Sequence, residues 1–340
     1  MPCKLLLSIV ALSGIWNLYS SDANNSFGPE KYRSAQDLCL LPHLEEKTPS
    51  TVALVQKLLD KLKEGSSLSD LLEFTYELQC ECPAQRRNIN VLQHMPLNGS
   101  KAPSEGDVML VWGSIFKDGL PLDTRLCLHL GEQGCTATTL SKSMLSEAFD
   151  TGATTRKCDC LLTVDGIEVG NFEAKRESTS SIDVAVQLRK NAKINKSILL
   201  ELKKYGIECP PLLNIHGMTA MVVKITEYDD IWAVGKACSS LVLPIVSEDV
   251  KFFLENGVFV LFNLLNEYHE YARKTYNAKR LYEYNNRTKA ENAAVNADPT
   301  PASILEWERV VLHTPTKPTT RKPSLTQELQ KLVAVQDDSD

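Results

Sequence analysis

Apolar residues recur at helical spacing in the first third of the chain and indicate two short helices. The first begins near Ser50, a residue that can cap a helix, and it stops at Gly65. The second opens with Ser67 and Asp70 at the spacing typical of a capping box. We therefore predict a helical hairpin region over residues 48–95.

Strand-like runs dominate the region that follows. Asp165-Gly166 joins two of these runs and is a strong hairpin signal, and a long amphipathic helix over residues 182–205 comes after them. The runs cover residues 126–130, 157–164, 167–175, 212–215, 220–226 and 231–237. This alternation predicts an α/β domain over residues 106–290, which begins after a polar linker at 96–105.

Composition changes at the end of the chain. The hydrophobic content of 43% is sufficient for a large core. A short helical pattern covers residues 141–149, and a long one covers residues 248–284. The segment 296–340 is rich in Pro, Thr and Lys and ends acidic. That composition is typical of a disordered tail.

The charge of the chain limits how it could bind nucleic acid. There are 37 Lys and Arg residues against 43 Asp and Glu residues, which gives a formal net charge of −6. A protein that coats nucleic acid through its total charge would be basic, so contact with a phosphate backbone requires a local basic patch. The ten cysteines lack zinc-ligand spacing and are typical of free thiols in a reducing compartment.

The N-terminal segment 1–47 permits two interpretations. Lys4 and the apolar run from Leu5 to Ile15 are similar to a short signal peptide, which would direct the chain to secretion. The alternative, which we favour, is a buried strand or helix at the start of an intracellular protein, either nuclear or cytoplasmic. No apolar run reaches the ~20 residues that span a bilayer, so we expect no membrane partner.

Candidate chemistry is concentrated on the hairpin. Asp159 lies in its first strand, and Glu173 and Lys175 lie two residues apart in its second strand and therefore share a face. Two carboxylates can bind Mg²⁺ or Mn²⁺ together with a substrate phosphate, and an adjacent ammonium group can orient water or stabilise developing charge. The alternative is a surface ion pair that contributes little stability.

The geometry of the hairpin tests this site. A regular two-residue turn would place Asp159 opposite Phe172 and leave Glu173 on the other face of the sheet. The site therefore requires a three-residue loop or a β-bulge. A three-residue loop with a left-handed glycine, in which Thr163 faces Ile167, would satisfy this requirement.

With its neighbouring elements, this arrangement resembles the PD-(D/E)XK nuclease superfamily. The order is a helix, Asp159 on one strand, Glu173-Ala-Lys175 on the next strand and Gln187 on the following helix. The resemblance implies a restriction-endonuclease-like α-β-β-β-α-β core with a mixed central sheet over residues 108–237. It also implies that Asp159 and Glu173 bind a divalent cation, Mg²⁺ or Mn²⁺, and that Lys175 and Gln187 complete the catalytic set.

The resemblance leaves one acidic residue open. The superfamily often adds a glutamate from the first core helix, and Glu147 and Glu132 both compete for that position. The proline that precedes the first acid in the superfamily motif is replaced here by Cys158.

The helix after the hairpin is basic. We predict that Arg189, Lys190, Lys193 and Lys196 bind a nucleic-acid backbone, along a stripe formed by Gln187, Lys190 and Lys193 at three-residue spacing. The run from Arg189 to Asn195 also resembles fungal proteins that carry this domain after a helical N-terminal region. The alternative is a solubilising helix face without a partner.

Three functions are compatible with the sequence. We expect a metal-dependent nuclease that hydrolyses phosphodiester bonds in DNA or RNA. The second function is that of a catalytically inactive nuclease-like fold, which binds nucleic acid or protein. The third is that of an interaction protein whose terminal helices bind partners. Metal binding separates the first function from the other two, and salt-dependent binding of nucleic acid separates the second from the third.

Overall fold

Strand-forming sequences assemble into one mixed, open sheet. The computed structural model of the chain describes residues 15–19, 28–65, 67–81, 85–95, 103–121, 124–140, 155–229 and 231–293. The strands are β1 (Ile15–Asn17), β2 (Leu126–Cys135), β3 (Arg156–Val164), β4 (Ile167–Lys175), β5 (Leu212–His216), β6 (Thr219–Tyr228), β7 (Ile231–Lys236) and β8 (Leu241–Val242).

The strands lie in the order β1-β7-β6-β5-β4-β3-β2, and the short strand β8 pairs with β6. β4 and β5 are parallel, as are β1 and β7, while the other neighbouring strands are antiparallel. A parallel pair needs a crossover connection, and the long helix between β4 and β5 supplies it. The sheet is therefore mixed, with β4 near its middle.

Helices begin where the sequence provides capping residues. Thr48 caps α2, and Ser104 and Asp107 form a capping box at the start of α5. The helices are α1 (Pro29–Cys39), α2 (Pro49–Lys63), α3 (Leu68–Glu81), α4 (Arg86–Leu92), α5 (Glu105–Gly119), α6 (Ser181–Leu202), α7 (Ser247–Phe252) and α8 (Val258–Ala293). A π-helical turn over Phe253–Gly257 joins α7 to α8.

Helices cover both faces of β4. On one face, Phe172 of β4 packs against Phe116 of α5 and Tyr268 of α8, with ring centroids 5.3 Å and 5.8 Å away. On the other face, the backbone N–H and the side chain of Asn171 donate hydrogen bonds to asparagine side chains of α6. Because side chains alternate along a strand, Asn171 and Glu173 point towards α6, while Phe172 points into the core.

Most of the predicted elements in the α/β region are confirmed. β4 has the predicted bounds, and the predicted helix over 182–205 corresponds to α6 and a short 3₁₀ turn after it. The region 48–95 holds a third helix, α4, besides the two predicted ones. Residues 141–149 and 296–340 lie outside the described residues.

The predicted linker ends one residue too late. It was assigned to residues 96–105, but Glu105 is the first residue of α5. At the N-terminal side, Ile15–Asn17 is a buried strand at the edge of the sheet. Among the helices that the structure describes, none is both long and apolar enough to cross a membrane.

Candidate active site

The turn of the β3–β4 hairpin has two residues. Asp165 and Gly166 both have positive φ angles, 50° and 80°, and Val164 pairs with Ile167 across the turn. Two successive left-handed residues are typical of the tight turn that Asp-Gly favours. The expected three-residue loop, in which Thr163 would face Ile167, is therefore wrong.

A β-bulge provides the irregularity that the site requires. Thr163 pairs with Glu168, whereas Leu162 pairs with Gly170, so that Val169 is an extra residue on β4. The expectation of either a loop or a bulge is thus confirmed in its second form. The extra residue shifts the register by one position from there to the end of the hairpin.

Glu168 connects the bulge to the chain beyond β2. Its carboxylate accepts hydrogen bonds from the backbone N–H groups of Thr136 at 2.6 Å and Ala137 at 2.9 Å. Both donors are more than thirty residues away in sequence. These charge-assisted bonds keep Glu168 directed out of the ladder and stabilise the bulged register.

The shifted register brings the two acids together. Cys160 pairs with Phe172, so the next position along each strand places Asp159 beside Glu173. Asp159 Oδ2 accepts a hydrogen bond from the backbone N–H of Ala174 at 3.0 Å. The Asp159 carboxylate therefore lies at the edge of β4, next to Glu173.

Glu173 is a buried carboxylate with one ion-pair partner. The residue is 1% exposed, and Lys190 Nζ lies 2.6 Å from its Oε2 atom. Asn171 Nδ2 donates to its Oε1 atom at 3.2 Å. Burial raises the pKa of Glu173 to about 7, the charge of Asp159 adds to this effect, and Lys190 and Asn171 oppose it.

Lys175 lies at the end of β4 and pairs with a residue that we did not predict. Its Nζ atom donates to Glu105 Oε1 at 2.8 Å. Burial lowers the pKa of Lys175, but Glu105 first and then Asp159 and Glu173 outweigh it, so that the pKa lies above its ordinary value. Ser104 and Asp107, which form the capping box of α5, are the sequence signal that locates Glu105 at the start of this helix.

Of the two glutamates that we considered for the additional acid, Glu132 lies away from the cluster. Glu132 lies at a bulge of β2, has a side chain that is 71% exposed, and pairs with Lys157. Glu147 lies outside the described residues. Glu105, on the first helix of the α/β region, occupies the position next to Lys175 instead.

Three buried asparagines hold the strand that carries Glu173. The backbone N–H of Asn171 donates to Asn195 Oδ1 at 2.7 Å, and Asn195 Nδ2 donates back to Asn171 O at 3.0 Å. Asn171 Nδ2 donates to Asn191 Oδ1 at 3.1 Å, and Asn191 Nδ2 donates to Leu213 O at 3.0 Å. This amide network joins β4, α6 and β5 and fixes Asn171 beneath Glu173.

Gln187 lies near the cluster but bonds elsewhere. It is 3% exposed, and its Nε2 atom donates to Ile215 O at 3.4 Å. Across the described ranges, its Oε1 atom and the Oδ1 atom of Asn214 have no hydrogen-bond donor. Asn214 pairs with Glu173 on the parallel strands, and it is a site neighbour that the sequence analysis missed.

The predicted basic stripe is only partly present. Lys193 and Lys196 are each 4% exposed, which contradicts an exposed stripe through them and also contradicts a solubilising face. Lys190 is bound to Glu173, and Arg189 is partly buried. Lys193 and Lys196 are not exposed because residues 191–200 of α6 are buried on every side of the helix.

The carboxylates do not form a complete metal site by themselves. In the part of the chain that the structure describes, no group of three or more His, Cys, Asp or Glu side chains could hold a metal ion. Asp159 and Glu173 are two neighbouring carboxylates, which is fewer than such a group contains.

Comparisons with protein-family models, with curated proteins and with solved structures found no match. The residues of the site itself are therefore the basis for a functional proposal.

Proposed function

We propose that this chain is a metal-dependent nuclease of the PD-(D/E)XK type, which hydrolyses phosphodiester bonds in DNA or RNA. The observation that carries the proposal is the bulged hairpin. It brings Asp159 beside Glu173 and leaves Lys175 on the face of Glu173. A hairpin without the bulge would have separated the two acids.

The order of elements supports the same proposal. Helix α5, strands β2, β3 and β4, helix α6 and strand β5 occur in this order along the chain, with a further helical segment at 136–140 between β2 and β3. That is the α-β-β-β-α-β order which the resemblance implies, with the acids on its second and third strands. Fold alone does not establish activity, so the site must be tested directly.

The donor set suits a hard divalent cation. Burial and the charge of Asp159 both raise the pKa of Glu173, so a cation at this pair would relieve the repulsion between the carboxylates. Mg²⁺ usually keeps several waters and binds through one or two carboxylates and substrate phosphates, a habit that fits two protein ligands. When bound, such a cation would lower the pKa of a coordinated water and neutralise charge on the phosphate.

The remaining residues have separate roles in this proposal. The Lys175 ammonium group orients the attacking water and stabilises charge on the phosphoryl oxygen. Glu105 accepts a hydrogen bond from Lys175 and fixes its direction. Lys190 forms an ion pair with Glu173 in the free protein, and it would be available to a substrate phosphate if a cation took its place at Glu173. Asn171 holds the Glu173 carboxylate in place.

A nuclease-like fold that binds nucleic acid without cleaving it is the second candidate. The Lys190–Glu173 pair favours it, because the ammonium group already neutralises the buried carboxylate. In that case nucleic acid would bind without any requirement for a divalent metal.

A cleavage assay tests the proposal. Single- and double-stranded DNA and RNA are incubated with the full chain in Mg²⁺ or Mn²⁺, and with Glu173→Ala and Lys175→Ala variants. We expect cleavage by the wild type only with metal, and a reduction of at least about 100-fold in each variant.

The exposed Glu132–Lys157 pair on the neighbouring strands provides matched controls. Glu132→Ala and Lys157→Ala should retain cleavage, because both side chains are more than half exposed and lie outside the cluster. Absence of cleavage by a folded wild type, together with metal-independent binding of nucleic acid, would select the second candidate.

A further inference from the structure

Two arginines lie against the ring of Tyr276 on α8. The guanidinium carbon of Arg125, just before β2, is 3.8 Å from the ring centroid, and that of Arg280, one turn later on α8, is 5.8 Å from it. Both arginines are exposed, and across the described ranges neither is paired with a carboxylate. Arg273, on the same helix, is instead paired with Glu270 at 2.6 Å. The two arginines at Tyr276 therefore keep their charge and their N–H groups available to a partner.

A salt bridge between α8 and the hairpin turn helps to hold these arginines together. Lys279 Nζ donates to Asp165 O at 2.7 Å and to Asp165 Oδ2 at 3.0 Å. The start of β2 lies beside the same turn, because the first residue of β2 pairs with the last residue of β3. Arg125 thus meets α8 at a point where the helix is anchored to the hairpin.

A guanidinium group that is stacked on a ring keeps its edge free to donate hydrogen bonds. Its N–H groups match the oxygens of a phosphate, while its flat face and the aromatic ring match the face of a base. Stacking also fixes the side chain before a ligand arrives, which reduces the entropy lost on binding. Arginine and aromatic side chains that lie together are therefore suited to a single strand, whose bases are free to stack.

We propose that Arg125, Tyr276 and Arg280 form a surface that binds single-stranded nucleic acid. The two arginines donate hydrogen bonds to backbone phosphates, and the stacked Arg125 and Tyr276 support an unpaired base. A chain with a formal net charge of −6 does not attract a strand through its total charge. It needs a local group of cations without acidic partners, and this surface provides one.

The surface is separate from the carboxylate cluster. β2 begins opposite Val164, and Asp159 precedes Val164 by five residues on β3. At ~3.3 Å per residue, Asp159 lies roughly 16 Å along the strand from the level at which β2 begins. The binding of a strand depends on the arginines and the ring, whereas its use in holding a substrate for cleavage rests on the proposed function.

The first test measures strand binding by the full chain without divalent metal. Fluorescence anisotropy follows labelled single strands of DNA and of RNA, each about 20 nucleotides long. We expect saturable binding by the wild type, and affinities at least about fivefold lower in Arg125→Gln and Arg280→Gln. Lys31→Gln removes an equal charge from an exposed ion pair with Asp229, near the opposite edge of the sheet, and should bind as the wild type does.

Salt dependence separates a phosphate contact from a structural role. The logarithm of the affinity for a single strand falls with the logarithm of the salt concentration, with a slope of about −0.7 per neutralised phosphate. Each arginine variant should make this slope shallower by about 0.7, and Lys31→Gln should leave it unchanged. An arginine that only supports the fold would give a variant with a lower Tm and an unchanged slope, and that result would overturn its role in binding.

Two variants of Tyr276 test the contribution of its ring. Tyr276→Phe keeps the ring and should bind single strands as the wild type does. Tyr276→Leu keeps an apolar side chain at this partly buried position but offers no ring, so it should bind them at least about fivefold more weakly. If strands bind equally well without the ring, the surface recognises anionic groups in general, and the proposal of a stacked base is overturned.

A duplex of the same length completes the test. Its bases are already paired and stacked on one another, so we expect it to bind less tightly than a single strand. Of DNA and RNA, the strand that loses more affinity in the arginine variants is the one that the surface takes. The proposal is overturned if the duplex binds as tightly with the same dependence on the arginines, if the wild type binds no single strand, or if the arginine variants bind as tightly as Lys31→Gln.

A metal titration distinguishes failure of this surface from failure of the proposed function. Arg125→Gln should bind Mn²⁺ as the wild type does, because Arg125 lies far from the carboxylate cluster. Because strand binding is measured without divalent metal, its outcome is independent of whether the chain cleaves nucleic acid.

Discussion

Two charged regions lie one turn apart on helix α6, and they differ in how their charges are balanced. Lys190 lies 2.6 Å from the buried carboxylate of Glu173, whereas Lys193 has Arg156 and Arg189 as its charged neighbours. The helix supplies both lysines, so the difference comes from the strands that face them. β4 presents an acid, and the start of β3 presents a further base.

Buried charge in this protein is arranged in two ways. The carboxylate region has paired charges, and it could exchange an ammonium group for a metal cation. In the basic region, the charges that act on Lys193 come from two arginines. The variants below test each region separately.

The largest effect is expected at Asn195, in the amide network that joins α6 to the strand of Glu173. The Asn195→Ala variant leaves the backbone N–H and C=O of Asn171 without their partners and removes one of the two donors to Asn191 Oδ1. The free energy of unfolding should fall by about 3–5 kcal/mol, as measured in urea. Asn256→Ala, which removes an exposed hydrogen bond to Phe252, should cost less than about 1 kcal/mol. Equal losses in both variants would contradict the role given to the amide network.

The next effect concerns Glu173 and pH, in the absence of divalent metal. The folded-state pKa of this acid is raised from 4.5 to about 7. The native protein therefore keeps a proton that the unfolded chain releases, and stability is lost as the pH rises through this window. Glu173→Gln should remove this slope and be more stable than the wild type by roughly 3 kcal/mol near pH 8.

Glu227→Gln is the control for this titration, because Glu227 is an exposed acid that pairs with Lys203. It should retain the loss of stability with rising pH that the wild type has. A Glu173→Gln variant with the slope of the wild type would show that another group carries the titration.

Replacing Lys190 or Lys193 by methionine should have opposite effects on the free energy of unfolding. Lys190→Met leaves Glu173 without its cation and should lower the free energy of unfolding by about 1–2 kcal/mol near pH 7.5. Lys193→Met should raise it by roughly 1–2 kcal/mol at the same pH. The penalty at Lys193 is complete below its lowered pKa of about 8 and disappears as the pH rises towards 10.5. If urea unfolding showed that both variants change the free energy of unfolding in the same direction, the two lysines would not differ in how their charges are balanced.

The smallest effect on stability is expected at Glu105. Its pair with Lys175 is partly exposed, at 43% and 31% of the two side chains, so Glu105→Gln should change the free energy of unfolding by less than about 1 kcal/mol. The pKa of Lys175 should nevertheless fall, because Glu105 is the main cause of its increase. NMR titration of the lysine side chain would measure this shift, and an unchanged pKa would exclude the pairing.

Local signals in the sequence were sufficient for much of the fold. Alternating apolar residues and the Asp165-Gly166 turn predicted the hairpin, and both strands have nearly the predicted bounds. The requirement that Asp159 and Glu173 share a face also predicted an irregularity. Its form could not be predicted, because Glu168 stabilises the bulge through Thr136 and Ala137, which are distant in sequence.

Two features of the candidate site depend on packing that the sequence pattern does not contain. Glu105 was included in a polar linker, since one charged residue before an apolar run gives no sign of the strand end it will contact. Lys193 and Lys196 were predicted at the surface, because the spacing of basic residues suggested an exposed face. The burial of residues 191–200 depends in part on β1, β5, β6 and β7, whose apolar side chains pack against α6.

The most direct test of the central claim is calorimetric titration of Mn²⁺ into the full chain. The claim is that Asp159 and Glu173 together bind a divalent cation. We expect one Mn²⁺ site in the wild type, and loss of that site in both Asp159→Asn and Glu173→Gln. A folded wild type that binds no Mn²⁺, or variants that bind it as well as the wild type, would show that Asp159 and Glu173 do not form a cation site.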